Sequence, residues 1–240
     1  MSDTRNIELS FTIAADASEV WAALTEADKL MRWFAPDVRV SPGKDGSIFV
    51  SWGPGMEGES KIRLWEPNKH LRFEFGENPQ NKQPLSVDYF LEGKGGETVL
   101  RLVHSGFSAD AEWDEEFDSH LRGWRLFMHT VRYDLEHAAG KPCKQHVISV
   151  DTPLDRAEAW ARVLGPKGLD RDGGLAGKTS GDALALVTAA GDRISGTAQV
   201  LGRERDLGMT FSELGEALLR LSFERRSKGG TMVYGVVIQY

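Results

Sequence analysis

The stretch from Ala111 to Gly140 reads AEWDEEFDSHLRGWRLFMHTVRYDLEHAAG, and the rest of the chain is organised around it. At 3.6 residues per turn, Trp113, Phe117, Leu121, Trp124, Met128, Val131 and Leu135 fall within about 40° of one line, so the spacing predicts a single long amphipathic helix. Its first turn is acidic (Asp110, Glu112, Asp114, Glu115, Glu116), as the positive end of a helix dipole prefers, and Gly140-Lys141-Pro142 stops it. A stripe with two tryptophans and a phenylalanine must lie on something large, and the preceding hundred residues read as strand. The expectation is a sheet wrapped on a helix.

Working toward the N-terminus, Ile7 to Ile13 alternates apolar and polar residues at the period of a half-buried strand. Asp16 or Ser18 can cap the helix that follows, where Val20, Trp21 and Leu24 recur at helical spacing, with a second short turn over Ala27 to Trp33. Six short runs come next: around Val38, Ile48 to Trp52, Gly58 to Trp65, His70 to Phe75, Leu85 to Leu91 and Thr98 to His104. Turn residues break them at Pro42-Gly43, Gly53-Pro54-Gly55, Pro67-Asn68, Asn78-Pro79 and Lys94-Gly95-Gly96. Strands joined by hairpins make a curved antiparallel sheet.

This order, with the Asp16 to Trp33 start, the Trp65-Glu66-Pro67 turn and His120-Leu121-Arg122-Gly123-Trp124 on the long helix, resembles the helix-grip fold of the START-like (SRPBCC) superfamily over residues 5 to 140. The helix segment is most similar to the branch named for activators of the heat-shock chaperone ATPase. The resemblance implies an α+β fold with an apolar cavity between sheet and helix. Relatives use it to hold lipids, hormones or polyketides, or to catalyse cyclisation or dehydration; relatives named for the chaperone bind a protein instead.

The last hundred residues read as a second copy. Ser149, Glu158 and Trp160 match Ser10, Glu19 and Trp21, Leu207 and Phe211 match Leu71 and Phe75, and Lys228-Gly229-Gly230 matches Lys94-Gly95-Gly96, in order and at nearly constant spacing. The chain therefore divides into 1–140, a helix-grip domain, and 141–240, a truncated helix-grip-like repeat without the final helix. The linker is placed at Gly140 to Gln145, and Gly165 to Asp182 is a Gly- and Asp-rich loop replacing early strands. The second sheet keeps an apolar face (Leu184, Leu186, Ile194, Val200, Met209, Phe211, Leu219, Leu221, Phe223, Val233, Val237). Three things could cover it: the short helix Leu154 to Leu164, the first unit, or another copy in a homodimer. We expect this half to dock on the first unit, within the chain or in a symmetric dimer.

Composition bounds the function. A net charge of −7 and pI near 5.4 argue against nucleic acid or anionic membrane as partners. One cysteine, Cys143, excludes an intrachain disulfide and a cysteine zinc site, which fits a reducing cytoplasm. No apolar run approaches the roughly 18 residues needed to span a bilayer, and Met1 to Asn6 lacks a signal-peptide core. No nucleotide-binding, zincin or nucleophile-elbow motif occurs, and neither cofactor nor metal is expected.

Candidate catalytic groups are His104, near the end of the last strand, and His120, on the flank of the helix stripe; either serves as general acid or base, or is an ordinary packing histidine. Glu57, Glu59, Arg63, Arg72, Glu74, Asp88 and Arg101 lie on strands, where an outward face is the default. Trp33, Phe34, Trp52, Trp113 and Phe117 are expected to line the cavity mouth, whereas Trp21 and Trp124 belong to the core. Two functions stay open: a binder of an apolar or aromatic small molecule, with or without cyclase- or hydrolase-like catalysis, and a protein-interaction module acting on a chaperone or other protein.

Overall fold

The computed structural model describes residues 4–76, 84–202, 204–215, 217–226 and 229–240. The turn expected at Asn78-Pro79 and the Lys228 position of the repeat lie outside these. The protein is α+β and forms two compact units, Met1–Gly140 and Lys141–Tyr240.

In the first unit, β1 (Thr4–Ile13) leads into α1 (Ala17–Thr25) and α2 (Ala27–Trp33). The Glu19 carboxylate accepts from the Asp16 backbone N–H at 3.1 Å, one half of a capping box that fixes where α1 starts. β2 (Asp37–Ser41), β3 (Ser47–Ser51), β4 (Glu57–Glu66), β5 (His70–Phe75), β6 (Leu85–Lys94) and β7 (Glu97–Ser108) follow, and α3 (Asp114–His137) closes the unit. Hairpins order the antiparallel sheet β1-β7-β6-β5-β4-β3-β2, so the first and last strands pair and α3 returns over the sheet against β1 and α2.

Alternation along the strands sends one face into the core and the other outward, to solvent except on β6, where Ser86 and Asp88 are buried as well. The inner face carries Ile7 and Ile13, Ile62, Leu71, Val87 and Tyr89, Leu100 and Leu102, and it meets Trp124, Met128 and Val131 of α3. On the outer face Arg63 pairs with Glu74 at 2.6 Å, and Arg72 and His70 both reach Asp88. Between the helices, Arg32 of α2 donates to the buried Asp134 of α3 at 2.7 Å and also to the Ala138 carbonyl at 2.8 Å. It clamps α2 to the last turn of α3. Trp113 sits in a 3₁₀ turn, Ala111–Trp113, ahead of the helix instead of on it.

The second unit repeats this plan. β8 (Lys144–Thr152), α4 (Arg156–Leu164), β9 (Ala183–Val187), β10 (Arg193–Gly202), β11 (Asp206–Phe211), β12 (Ala217–Arg225) and β13 (Thr231–Gln239) give the order β8-β13-β12-β11-β10-β9. That is the first sheet without the edge strand β2. Asp155 caps α4 in a capping box with Glu158. The strand starts at Lys144, so the linker is shorter than the spacing predicts. Residues 165–182 are irregular, as expected, and the loop inserts Leu169 and Leu175 beside the α4 residues Ala159, Trp160 and Leu164 to cover the centre of the sheet. Val200 is displaced from the expected apolar face: a bulge between Ala198 and Val200 shifts the alternation, and Ala198 and Leu201 pack inward in its place. Among the described residues no helix corresponding to α3 follows β13.

Candidate functional site

Within the first unit, α3 does not seal the whole sheet. Between its N-terminal half and strands β3 to β5 lies a cavity of about 580 Å³. The helix contributes Ser119, His120, Gly123, Trp124 and Phe127; the last four are spaced i, i+3, i+4, i+7 and share one face, with Ser119 at its edge. This face is a flank of the main stripe, turned toward β3 and β4. The sheet supplies Ile48 and Val50 from β3, Glu57, Gly58 and Ser60 from β4, and Phe73 and Phe75 from β5. Phe34, at the end of α2, and Trp52 and Met56, in the turn after β3, complete the wall.

Aromatic side chains hold one another in place there. Phe34 stacks on Trp124 at 5.8 Å between ring centroids and meets Trp52 and Phe127 edge-on at 5.2 and 4.8 Å. The Trp52 indole N–H donates to the Phe34 carbonyl at 3.0 Å, which pins the β3–β4 turn to the end of α2. Gly123 leaves room: a methyl group there would meet only the edge of Phe127, at 4.0 Å. A glycine inside a helix costs about 1 kcal/mol relative to alanine. Here the missing side chain enlarges the cavity.

The polar groups of the wall are few. Glu57 is exposed at the rim, whereas Ser60 is buried and Ser119 half-buried. His120 is half-buried, and its Nδ1 lies 2.9 Å from the Glu116 carbonyl. A carbonyl only accepts, so Nδ1 carries the proton and Nε2 of the neutral ring keeps a lone pair. Behind the wall stands His104, fully buried on β7 between Phe75, Phe107 and Trp124, its ring 5.2 Å from that of His120. The Trp124 indole N–H donates to His104 Nδ1 at 2.9 Å, which fixes the Nε2–H tautomer. Burial, and secondarily the neighbouring His120, pushes the His104 pKa down to about 3. His104 is therefore neutral at ordinary pH and acts as the acceptor that orients Trp124.

The residues singled out from sequence separate into two groups. Phe34, Trp52 and His120 stand on the cavity wall. Trp33 is wholly buried and donates to the Ala23 carbonyl at 2.9 Å, while Trp113 and Phe117 anchor the start of α3, Phe117 against Phe107 and beneath the Arg5 guanidinium. These three are outside the cavity lining, as is His104. Trp124, assigned to the core, both packs there and faces the cavity. Phe73 and Phe75, aromatics that the sequence leaves to core packing, and Phe127 also stand on the wall. For Phe127 a signal existed, the His120, Gly123, Trp124, Phe127 spacing, which the dominant stripe obscures. Among the described residues no group of three or more His, Cys, Asp or Glu could hold a metal ion, and no helix is long and apolar enough to cross a membrane.

Residues 14–136 match the family model described as "Activator of Hsp90 ATPase homolog 1-like protein". No curated protein matches the chain. Among solved structures, the solution structure of the Aha1 dimer from Colwellia psychrerythraea is 22% identical, covers 57% of this chain and 99% of its own, and superposes with a TM-score of 0.50. A protein from Mesorhizobium loti is 20% identical over 56% of this chain and 98% of its own, also at 0.50. The di-domain ARO/CYC BexL from the BE-7585A biosynthetic pathway is 14% identical but covers 98% of this chain and 84% of its own, at 0.50. At these identities the likeness is one of fold.

Proposed function

We propose a function from the premise that this chain belongs to the family of activator of Hsp90 ATPase homolog 1-like proteins: its N-terminal unit holds a small apolar or aromatic molecule between α3 and strands β3 to β5. The observation that carries this is the cavity itself. Its volume of about 580 Å³ falls within the range of roughly 300–1,000 Å³ usual for small-molecule sites, and its wall is aromatic with a few convergent polar groups. A space of that size lined by Phe34, Trp52, Phe73, Phe75, Trp124 and Phe127 favours a flat apolar ligand by burial and ring stacking. His120 Nε2 and the Ser60 hydroxyl are the groups that would meet its polar edge.

If the bound molecule also reacts, His120 is the side chain suited to exchange a proton with it, since His104 is held neutral. The family match favours a second reading, in which the unit docks on a chaperone of the Hsp90 kind and the cavity is incidental to the packing. Native mass spectrometry of protein purified without added ligand, followed by fluorescence titration with a panel of apolar aromatic probes, separates the two. Bound adducts or saturable quenching of Trp52 and Trp124 support the ligand site. A bare mass with no response to any probe removes the first reading and leaves the second.

A further inference from the structure

The second unit retains the strands that α3 covers in the first. In the register set by Ser149 and Ser10, His146, Ile148, Val150 and Thr152 of β8 stand where Ile7, Leu9, Phe11 and Ile13 stand in β1. In the first unit Ile7 and Ile13 are buried and Leu9 and Phe11 pack into the core that α3 closes, Phe11 meeting His129 of that helix edge-on at 5.1 Å. In the second, Ile148 is 67% and Val150 50% exposed. They border an open apolar groove of about 490 Å³ running between β8, β13 and α4. Its floor is lowered by Gly235, which pairs with Ile148 where Leu102 pairs with Leu9. A Cβ at Gly235 would come within 3.0 Å of Leu221 Cδ2.

The six residue steps from His146 to Thr152 span about 20 Å of strand, the length of about 13 helical residues. The charge around the groove is of one sign. Arg162 is the charged member of its lining, no acidic residue joins it, and it has no carboxylate partner among the described residues. Residues 141–240 carry 14 Lys and Arg against 12 Asp and Glu, whereas residues 1–140 carry 15 against 24, so the second unit is net +2 and the first net −9. We propose that this groove is a docking site for an amphipathic helix of three to four turns with acidic flanks, supplied by a partner protein. The equivalent strands of the first unit hold an acidic-ended amphipathic helix, and the groove is an open channel along a strand, the form in which an apolar helix face is bound. The Arg162 guanidinium beside it, on a unit of net positive charge, selects acidic flanks.

The probe is a labelled synthetic peptide of residues 111–140, an amphipathic sequence with seven acidic and three basic residues, titrated against the full chain by fluorescence anisotropy. The expected result is saturable binding that weakens at least tenfold in Ile148→Asp and in Val150→Asp. Both are solvent-exposed positions, and unchanged circular-dichroism melts show that the variants remain folded. Arg162→Glu, at an exposed helix position outside the strand, is expected to weaken binding several-fold and to reduce its salt dependence. No binding, or binding indifferent to Ile148 and Arg162, overturns the proposal. So does Ile148-dependent binding of oleate in place of the peptide, or Ile148-dependent self-association of the chain in sedimentation, since either assigns the groove to another occupant.

Discussion

The buried His104 makes stability depend on pH in a direction that can be worked out. In the unfolded chain its imidazole takes a proton near pH 6.5; in the folded protein burial and His120 hold it to about 3. The native pKa is depressed, so the contribution is complete above pH 6.5 and is lost as pH falls from there toward 3, where the native ring also charges. Between pH 7.5 and 5.0 the unfolded state gains about 1.5 decades of proton binding that the native state does not, a loss of about 2 kcal/mol. That is a large share of the roughly 5–15 kcal/mol of a typical domain. Protonation at Nδ1 would also turn the acceptor of the Trp124 indole into a donor facing a donor.

His104→Gln removes the titration while retaining an acceptor for Trp124. Urea unfolding of both proteins at pH 7.5 and 5.0, followed by tryptophan fluorescence and circular dichroism, is expected to show a pH-dependent loss smaller by about 2 kcal/mol in the variant. Equal losses in the two proteins would refute the assignment of a buried, neutral His104. His129, lowered to about 4 by burial and by Arg132, acts in the same direction, but its partial exposure to solvent makes its share smaller.

Replacing Trp124 by alanine, which empties the centre of the α3 contact and leaves His104 without its donor, is expected to cost about 3–5 kcal/mol in urea unfolding, whereas Arg125→Ala, on the exposed face, is expected to cost less than about 0.5 kcal/mol. Arg32→Met leaves the Asp134 carboxylate buried without its guanidinium and is expected to cost about 3 kcal/mol, whereas the double variant Arg32→Met/Asp134→Leu recovers most of that loss; equal destabilisation of single and double variants would show that the pair is not a unit. Gly123→Ala is expected to raise the melting midpoint, by up to about 1 kcal/mol of stability, because the methyl enters open space on a helix that gains propensity; a loss of stability would mean the cavity is closed there.

The fold was legible because it is written in two clean periods. Alternation at 2 in Ile7–Ile13 and the later strands, and at 3.6 along Trp113–Leu135, leave one solution in which hairpins form a sheet and the last helix returns over it. The repeat was legible for the same reason, since Ser149, Glu158, Trp160, Leu207 and Phe211 sit at equivalent points of matching elements. What sequence could not supply was which apolar residues face a void. Trp33 and Phe34 are adjacent and chemically alike, yet the end of α2 turns one into the core and the other to the cavity. Phe117 and Phe127 lie on the same helix about 80° apart, and Phe117 packs on Phe107 whereas Phe127 stands on the cavity wall. Val200 shows the same limit at a bulge: one extra residue in β10 reverses the face that alternation assigns.

The central claim is that the first unit keeps a ligand-sized space beside Gly123, and it is tested most directly by filling that space. Saturable binding of an apolar aromatic probe should quench Trp52 and Trp124 in the native chain and fall at least tenfold in Gly123→Leu, with the unfolding midpoint of that variant at or above the native value. Equal affinity in the two proteins would contradict the account, because the probe would then be bound somewhere other than the cavity between α3 and the sheet.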